Sequence, residues 1–433
     1  MNRTASQKNA VAPKPPMGWN SWDCYAATVN ETQLMANAAY MRTHLAAYGW
    51  AYVVCDIQWS DPLAGTEAQE YRPFAALTMD EYGRLLPAEN RFPSSAGGAG
   101  FAPVAARIHD MGLKFGIHIM RGIPRQAVHA RTPVKGTAFT AEMIASPFSI
   151  CKWNGDMYGV DADKPGAQAW YDSLFELYAA WGVDFVKVDD ICNTNLYKEN
   201  PYSAKREIEL IRRAIDRCGR PMVLSLSPGP AVIEEAWHLA ENANMWRMTD
   251  DFWDSWPLLV NMFTRCEVWQ RHVGPGCWPD CDMLPLGRIG MGHRHPRGTA
   301  FTRPEQVTMM TLWCIFRSPL MMGGEMNEND DWTLALLTNE EVLRVNQEGN
   351  GAWQVARDAG HAVWASHGSG GELHVALFNL ADTPAFLTIP LAELDLPADV
   401  HVRDLWKRMD LENGAATVPL AVEPHGARLL TLR

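Results

Sequence analysis

The feature of the sequence that most restricts its fold is a regular alternation of short apolar, β-type runs with longer helical stretches over about the first 350 residues. The runs occupy residues 17–22, 51–57, 114–120, 185–191, 222–227, 243–249, a short segment near 281–284, and 318–324. Such alternation predicts a parallel sheet, and eight repeats in this length fit an α/β fold of the (β/α)8 TIM-barrel type. A doubly wound open sheet is the alternative, but no Gly-x-Gly-x-x-Gly loop follows the first run.

The last eighty residues have a different pattern, in which helical periodicity disappears. Short alternating runs such as ELHVALFNL, AFLTIPL and ARLLTL are separated by Gly, Pro, Asn and Asp. This pattern predicts a small C-terminal antiparallel β-sandwich. The Gly-rich stretch NQEGNGAW gives the expected boundary, with the barrel at 1–350 and the β domain at 351–433.

Composition and charge exclude several classes of protein. The net charge of -12, without a basic run, lacks the electrostatic footprint of nucleic-acid binding, and no apolar run is long enough to span a membrane. The N-terminal segment has no apolar signal core, which predicts a cytoplasmic chain, or a secreted or periplasmic one if a signal peptide was removed. Eighteen tryptophans suit a carbohydrate site, although large cores also use them. Nothing in the sequence excludes a homo-oligomer.

The cysteines and histidines indicate neither a disulfide framework nor a metal site. Nine cysteines are an odd number and are scattered. Cys277 and Cys281 flank Trp-Pro-Asp, but no second Cys/His pair at zinc spacing completes a site. His293 and His295 are only a weak metal signal, so we expect no metal.

Polar residues cluster where the β-type runs end. They are Asp56, His118, Asp189, Ser227 and Arg247. In a (β/α)8 barrel the active site is built at the carboxyl ends of the strands. One or two such residues would be ordinary loop starts, but five favour a functional site.

The segment Lys187-Val188-Asp189-Asp190 carries the first candidate for chemistry. Residues two apart on a strand share a face, so Lys187 and Asp189 point the same way and Asp190 the other. A neighbouring cation favours the ionised carboxylate that a nucleophile requires. The alternative is a structural ion pair that closes the barrel.

The second candidate is a pair of carboxylates, Asp250 and Asp251, which follows Arg247 and precedes the aromatic FWDSW. Aromatic surroundings raise the pKa of a carboxyl group, as a general acid needs. Arg247 would oppose this rise if it contacted the same group, and we expect it instead to bind a sugar hydroxyl or the adjacent loop. Both carboxylates also fit a helix N-cap, and the local sequence does not choose between them.

Seven motifs in order resemble those of glycoside hydrolase family 27, the α-galactosidase family, over nearly the whole chain. They are PPMGWNSWD, YVVCDIQW, GLKFGIHI, WGVDFVKVDD, MVLSLSPG, WRMTDDFWDSW and CWPDCDMLPLG. The resemblance implies a barrel with a C-terminal β domain, a two-Asp mechanism and no cofactor. It implies that Asp189 is the nucleophile and Asp251 the acid/base. The sugar-binding residues that it implies are Trp22, Asp56, Lys187, Arg247 and Asp282.

Departures from the family pattern bear on the substrate. Ile57 replaces the second Asp of the family's Asp-Asp-x-Trp motif, where α-galactosidases hold the O4/O6 side of galactose. Ile57 cannot accept a hydrogen bond and would fill the space of the exocyclic CH2OH. His118 stands where α-galactosidases often have Tyr, and Ser227 where many have a residue that reads the sugar's 2-position. Ile191 takes the place of the family cysteine after the nucleophile motif, so the disulfide often found there is not expected.

The sequence therefore predicts a retaining exo-glycosidase that acts on a small or oligosaccharide substrate. Terminal β-L-arabinopyranosyl residues are the first choice, because this sugar has the hydroxyl layout of α-D-galactose without the CH2OH. The alternatives are an α-D-galactosidase with the same mechanism and an inactive sugar-binding barrel. A metal-dependent hydrolase would need His-x-His after the first run, where Trp22-Asp23 stands instead.

Overall fold

The computed structural model describes residues 5–65, 75–192, 202 and 204–433 of the chain. Eight strands form one parallel sheet: β1 (Met17–Asn20), β2 (Tyr52–Cys55), β3 (Lys114–Met120), β4 (Phe185–Asp189), β5 (Val223–Leu226), β6 (Met245–Arg247), β7 (Trp278–Asp280) and β8 (Leu320–Met322). Their order is β7-β6-β5-β4-β3-β2-β1-β8. Leu284 closes the ring, because it bridges to Met322 in parallel and its N–H donates to the Met321 carbonyl at 2.8 Å. The predicted (β/α)8 barrel is confirmed.

The position predicted for the seventh strand is wrong by three residues. The strand is β7, Trp278–Asp280, whereas the segment near 281–284 was expected to form it. Asp282 has φ +81°, a left-handed conformation that a strand does not accommodate. The chain therefore leaves β7 before Asp282 and returns only at Leu284 for the closing bridge.

Helices surround the barrel in the order that the alternation predicts. They are Ala5–Asn9, Trp22–Tyr25, Glu31–Tyr40, Ala102–Asp110, Arg125–Ala130, Ala141–Ile144, Ala167–Trp181, Lys205–Arg217, Ala236–Asn242, Trp256–Trp269, Arg303–Phe316, Asp331–Leu337 and Glu340–Glu348. Lys205–Arg217 is typical, since Ile208, Ile211 and Ile215 lie on one face and are fully buried. Gly219, at φ +80°, follows the helix end as a glycine stop signal should.

One excursion from the barrel matters for the site. After β3, a three-stranded antiparallel sheet of Ile123–Pro124, Ala145–Ile150 and Met157–Val160 precedes the helix Ala167–Trp181. The loop between its last two strands carries Cys151 and Trp153 to the carboxyl end of the barrel, where they pack with Ile57.

The C-terminal domain is an antiparallel β-sandwich, as predicted. Its main sheet has the order β9-β10-β11-β14-β12-β13, from β9 (Asn350–Arg357), β10 (His361–His367), β11 (Leu373–Asn379), β12 (Val402–Asp404), β13 (Met409–Asp410) and β14 (Ala427–Leu432). Ala385–Leu387 pairs with Leu420–Val422 in a second small sheet.

Strand β11 shows how the two domains share a core. Every residue of β11 is buried, including the polar His374 and Asn379. Val375 and Leu377 face the sandwich core, and Phe378 packs on Phe263 of the barrel at 4.8 Å between ring centroids.

Among the described helices, none combines the length and apolarity that crossing a bilayer requires.

Candidate active site

Asp189 ends β4 at the centre of the barrel mouth and is held by β3. The His118 Nε2 lies 3.0 Å from Asp189 Oδ2, and the Asp190 N–H donates to Asp189 Oδ1 at 2.8 Å. Burial alone would raise the pKa of Asp189, but the hydrogen bond and charge of His118, followed by the charge of Lys187, lower it below the usual range. The structure thus provides a buried carboxylate that stays ionised.

Lys187 faces the same way as Asp189, but its direct partner is a different carboxylate. Its Nζ lies 2.9 Å from Asp56 Oδ2, which also accepts from Asn20 Nδ2 at 2.8 Å. The long lysine side chain reaches across the barrel interior from β4 to the end of β2. Burial would raise the pKa of Asp56, yet Lys187 and then His118 lower it, so this carboxylate is ionised too. The charge of Lys187 lowers the pKa of Asp189, as expected from the sequence, while its direct contact is with Asp56.

Asp190 turns away from the barrel mouth. Its carboxylate lies 2.8 Å from Arg121, and Arg121 also contacts Glu207 at 3.0 Å, all three side chains being almost fully buried. This orientation is the expected one, because Asp190 directly follows Asp189 and successive residues of a strand point to opposite faces.

Arg247 joins two carboxylates, contrary to the expectation that it would avoid Asp251. Its Nη2 donates to Asp251 Oδ1 at 2.7 Å and its Nη1 lies 2.9 Å from Asp282 Oδ1. Asp251 is 53% exposed, so the aromatic residues after it do not enclose it as expected. The reason is that Phe252 turns inward against Trp313, with 5.1 Å between the rings, while Asp251 faces outward.

Asp280 and Asp282, at the end of β7, complete the acidic side of the site. The Asp282 carboxylate accepts from the Phe252 N–H at 2.8 Å, and Asp280 accepts from the Asp282 N–H at 2.9 Å. Burial, together with the charge of Asp282, raises the pKa of Asp280 to about 7. Asp280 was not among the residues predicted from the sequence, although it stands in WPDCD, two residues before Asp282.

The opposite side of the site is apolar. Ile57 is 3% exposed and belongs to a cluster with Ala27, Ala64, Met120, Cys151 and Met157, against which Trp22 and Trp153 pack. Ser227 contributes little to this surface, because it is 1% exposed and its hydroxyl lies 3.4 Å from the Val188 carbonyl. Ser227 was predicted to bind the sugar, but its side chain points toward the Val188 carbonyl.

The candidate metal ligands of the sequence are not brought together in the described part of the chain. Within residues 5–65, 75–192, 202 and 204–433, no group of three or more His, Cys, Asp and Glu is arranged to hold a metal ion. His293 instead packs edge-on against Trp22 and Trp253, with 5.3 and 5.4 Å between ring centroids. None of the nine cysteines, all within the described chain, forms a disulfide.

Known proteins share both this fold and this sequence. A profile of alpha galactosidase A matches residues 154–348, and one of the alpha galactosidase C-terminal beta sandwich domain matches residues 358–432. The crystal structure of a GH27 β-L-arabinopyranosidase from Geobacillus stearothermophilus is 56% identical over 98% of both chains, with a TM-score of 0.94. The chain belongs to glycoside hydrolase family 27.

Other relatives carry a different activity in their names. Alpha-galactosidase 3 of Arabidopsis thaliana is 28% identical over 98% of this chain and 83% of its own length. The alpha-galactosidase of Coffea arabica is also 28% identical, over 98% of this chain and 95% of its own.

A further structure of the Geobacillus stearothermophilus β-L-arabinopyranosidase, a variant in complex with arabinose, has a TM-score of 0.93. The chain is therefore a glycoside hydrolase.

Proposed function

We propose that this family 27 enzyme is a retaining exo-glycosidase that removes terminal β-L-arabinopyranosyl residues. The observation that carries the proposal is the apolar cluster around Ile57. A galactose CH2OH placed there would lose a hydrogen bond and meet a buried side chain. Such a loss costs on the order of 1–3 kcal/mol, or roughly 5- to 150-fold in rate. β-L-Arabinopyranose has hydrogen at this position and avoids both penalties.

The similarity to the Geobacillus stearothermophilus β-L-arabinopyranosidase supports the same substrate, at 56% identity. The plant α-galactosidases, at 28% identity, support the alternative that the enzyme removes α-D-galactose. The two sugars differ only in the exocyclic carbon, so the alternative keeps the mechanism and changes one subsite.

The mechanism that we propose uses Asp189 and Asp251 in two displacements. Asp189 attacks the anomeric carbon while Asp251 gives its proton to the glycosidic oxygen, and the aglycone leaves as a neutral alcohol. Asp251, now a carboxylate, takes a proton from water, which attacks the same carbon and releases Asp189. Two inversions return the original anomeric configuration.

The surroundings of the two carboxylates support this division of roles. Asp189 is buried and bound by His118, so it is ionised and fixed in one position, as a nucleophile must be. Asp251 is half-exposed at the outer rim, where an aglycone has to enter and leave. Lys187 and Asp56 form an ion pair beside Asp189 and would bind sugar hydroxyls.

Changing Ile57→Ala is expected to shift specificity toward galactose. Removing the branched side chain opens space for the CH2OH. Accommodating one group of this size in a pocket changes kcat/KM by roughly 10- to 200-fold. The ratio of kcat/KM for p-nitrophenyl α-D-galactopyranoside to that for p-nitrophenyl β-L-arabinopyranoside should rise by that factor. The cavity also lowers stability by about 2–5 kcal/mol, so assays belong well below the variant's Tm.

Ile57→Leu is the matched control, because it keeps the volume and the apolar character of the site. Its substrate ratio should stay within about threefold of the wild-type ratio, since volume-conserving swaps cost little. An unchanged ratio in Ile57→Ala would show that Ile57 does not select the sugar.

His118→Leu is expected to move the acid limb of the pH profile to higher pH. The His118 contact lowers the pKa of Asp189, so its loss raises that pKa and protonates the nucleophile at less acidic pH. The acid-side apparent pKa in kcat/KM should rise, with activity recovered at higher pH. A uniform loss of activity at every pH would assign His118 a purely structural role.

A further inference from the structure

Three aromatic rings contact one another in a row on one rim of the barrel mouth. The His293 ring meets Trp22 at 90° and Trp253 at 81°, so one histidine links two tryptophans edge to face. All three side chains are partly exposed. We call Trp22, His293 and Trp253 the rim aromatics.

The rim aromatics extend from the sugar pocket to the half-exposed carboxylate of Asp251. At one end, Trp22 packs on the cluster of Ile57 and on apolar residues from the barrel interior, which places it over the pocket. At the other end, Trp253 lies two residues after the half-exposed Asp251.

Backbone and side-chain contacts fix the loop that carries His293. The Gly290 N–H donates to the Asp23 carbonyl and the Gly292 N–H to the Cys24 carbonyl, both at 2.8 Å. On the far side, Arg297 Nη2 donates to Asp254 Oδ1 at 2.8 Å, and Asp254 follows Trp253 directly. The loop is thus tied to both elements that bear the tryptophans, and the three rings form a preorganised surface.

We propose that the two outer rim aromatics, Trp253 and His293, form the aglycone-binding surface of this enzyme and determine its aglycone specificity. The inference rests on the proposed function, in which Asp251 protonates the glycosidic oxygen. The leaving group then lies outward of Asp251, against Trp253 and His293. The aglycone that fits has a flat apolar face, either an aromatic ring or the C–H face of a second sugar.

The test compares Trp253→Ala with the wild type on two matched pairs of glycosides of whichever sugar the wild type prefers. The first pair is the p-nitrophenyl glycoside and the glycosyl fluoride, both activated but only one bearing a ring. The second pair is a disaccharide and the methyl glycoside, both in need of acid assistance but only one bearing a second sugar. Each ring-bearing substrate should lose about 3- to 10-fold in kcat/KM relative to its partner, the scale of aromatic contacts.

Selective loss in either pair supports the proposal and identifies the aglycone class as aryl, sugar or both. Equal losses within both pairs, or no loss, overturn it and leave the proposed function intact. Inhibition by free arabinose or galactose should be unchanged in Trp253→Ala, which shows that the sugar pocket is preserved. Phe386→Ala, at a 74% exposed aromatic residue of the C-terminal domain, is the control and should affect no substrate. If wild-type enzyme cleaves none of the four, the proposed function fails first.

Discussion

Asp189→Gly is expected to reduce kcat by about 10⁴- to 10⁶-fold, the scale of losing a catalytic nucleophile. Asp189 is buried, ionised and held by His118, and no other carboxylate is placed by β4 on the same face of the strand. Without it the first displacement has no attacking group. Steady-state hydrolysis of p-nitrophenyl β-L-arabinopyranoside measures the loss, and a Tm near the wild-type value excludes unfolding.

Added azide distinguishes a missing nucleophile from a damaged fold. In Asp189→Gly the anion can occupy the vacated space and attack the anomeric carbon once, which gives the α-L-arabinopyranosyl azide with inverted configuration. Near wild-type hydrolysis by the variant, or an azide product of unchanged configuration, would contradict the nucleophile assignment.

Asp251→Ala is expected to lower kcat/KM by about 10²- to 10⁴-fold for a disaccharide, the range of general acid catalysis. The drop should be smaller for the p-nitrophenyl glycoside, because p-nitrophenolate leaves without a proton. Hydrolysis of the glycosyl-enzyme slows as well, since the same residue activates water. Azide should then accept the glycosyl group from Asp189 and yield the product with retained configuration.

The matched control for this variant is Asp250→Asn. Asp250 is exposed, and its Oδ1 accepts from the Asp251 N–H at 3.0 Å, a contact that asparagine keeps. Activity should stay close to wild type. If Asp250→Asn shows the leaving-group dependence and Asp251→Ala does not, the acid/base assignment belongs to Asp250.

The barrel could be predicted because the sequence patterns that indicate it are local and recur along the chain. Each strand is a short apolar run, and a helix stop such as Gly219 depends on one residue. The position of β7 could not be predicted in the same way, because Asp282 has a left-handed conformation and long-range contacts with Arg247 and Phe252. The sequence CWPDCDML does not display that constraint.

The sequence proposes the residues of the candidate site but does not give their contacts. Strand periodicity placed Lys187 and Asp189 on one face and Asp190 on the other, in agreement with the structure. The partners are long-range: Asp56 for Lys187, His118 for Asp189 and Asp282 for Arg247. They arise from the closure of the barrel, which brings together residues as far apart in the chain as Asp56 and Lys187, 131 residues.

The most direct test of the proposed function is the kcat/KM of the wild-type enzyme on p-nitrophenyl β-L-arabinopyranoside and p-nitrophenyl α-D-galactopyranoside, with Asp189→Gly as the background. We expect the arabinoside to be preferred by tenfold or more, at least about 1.4 kcal/mol of transition-state preference. A preference for the galactoside would contradict the role given to Ile57 and would assign the enzyme to the α-galactosidases.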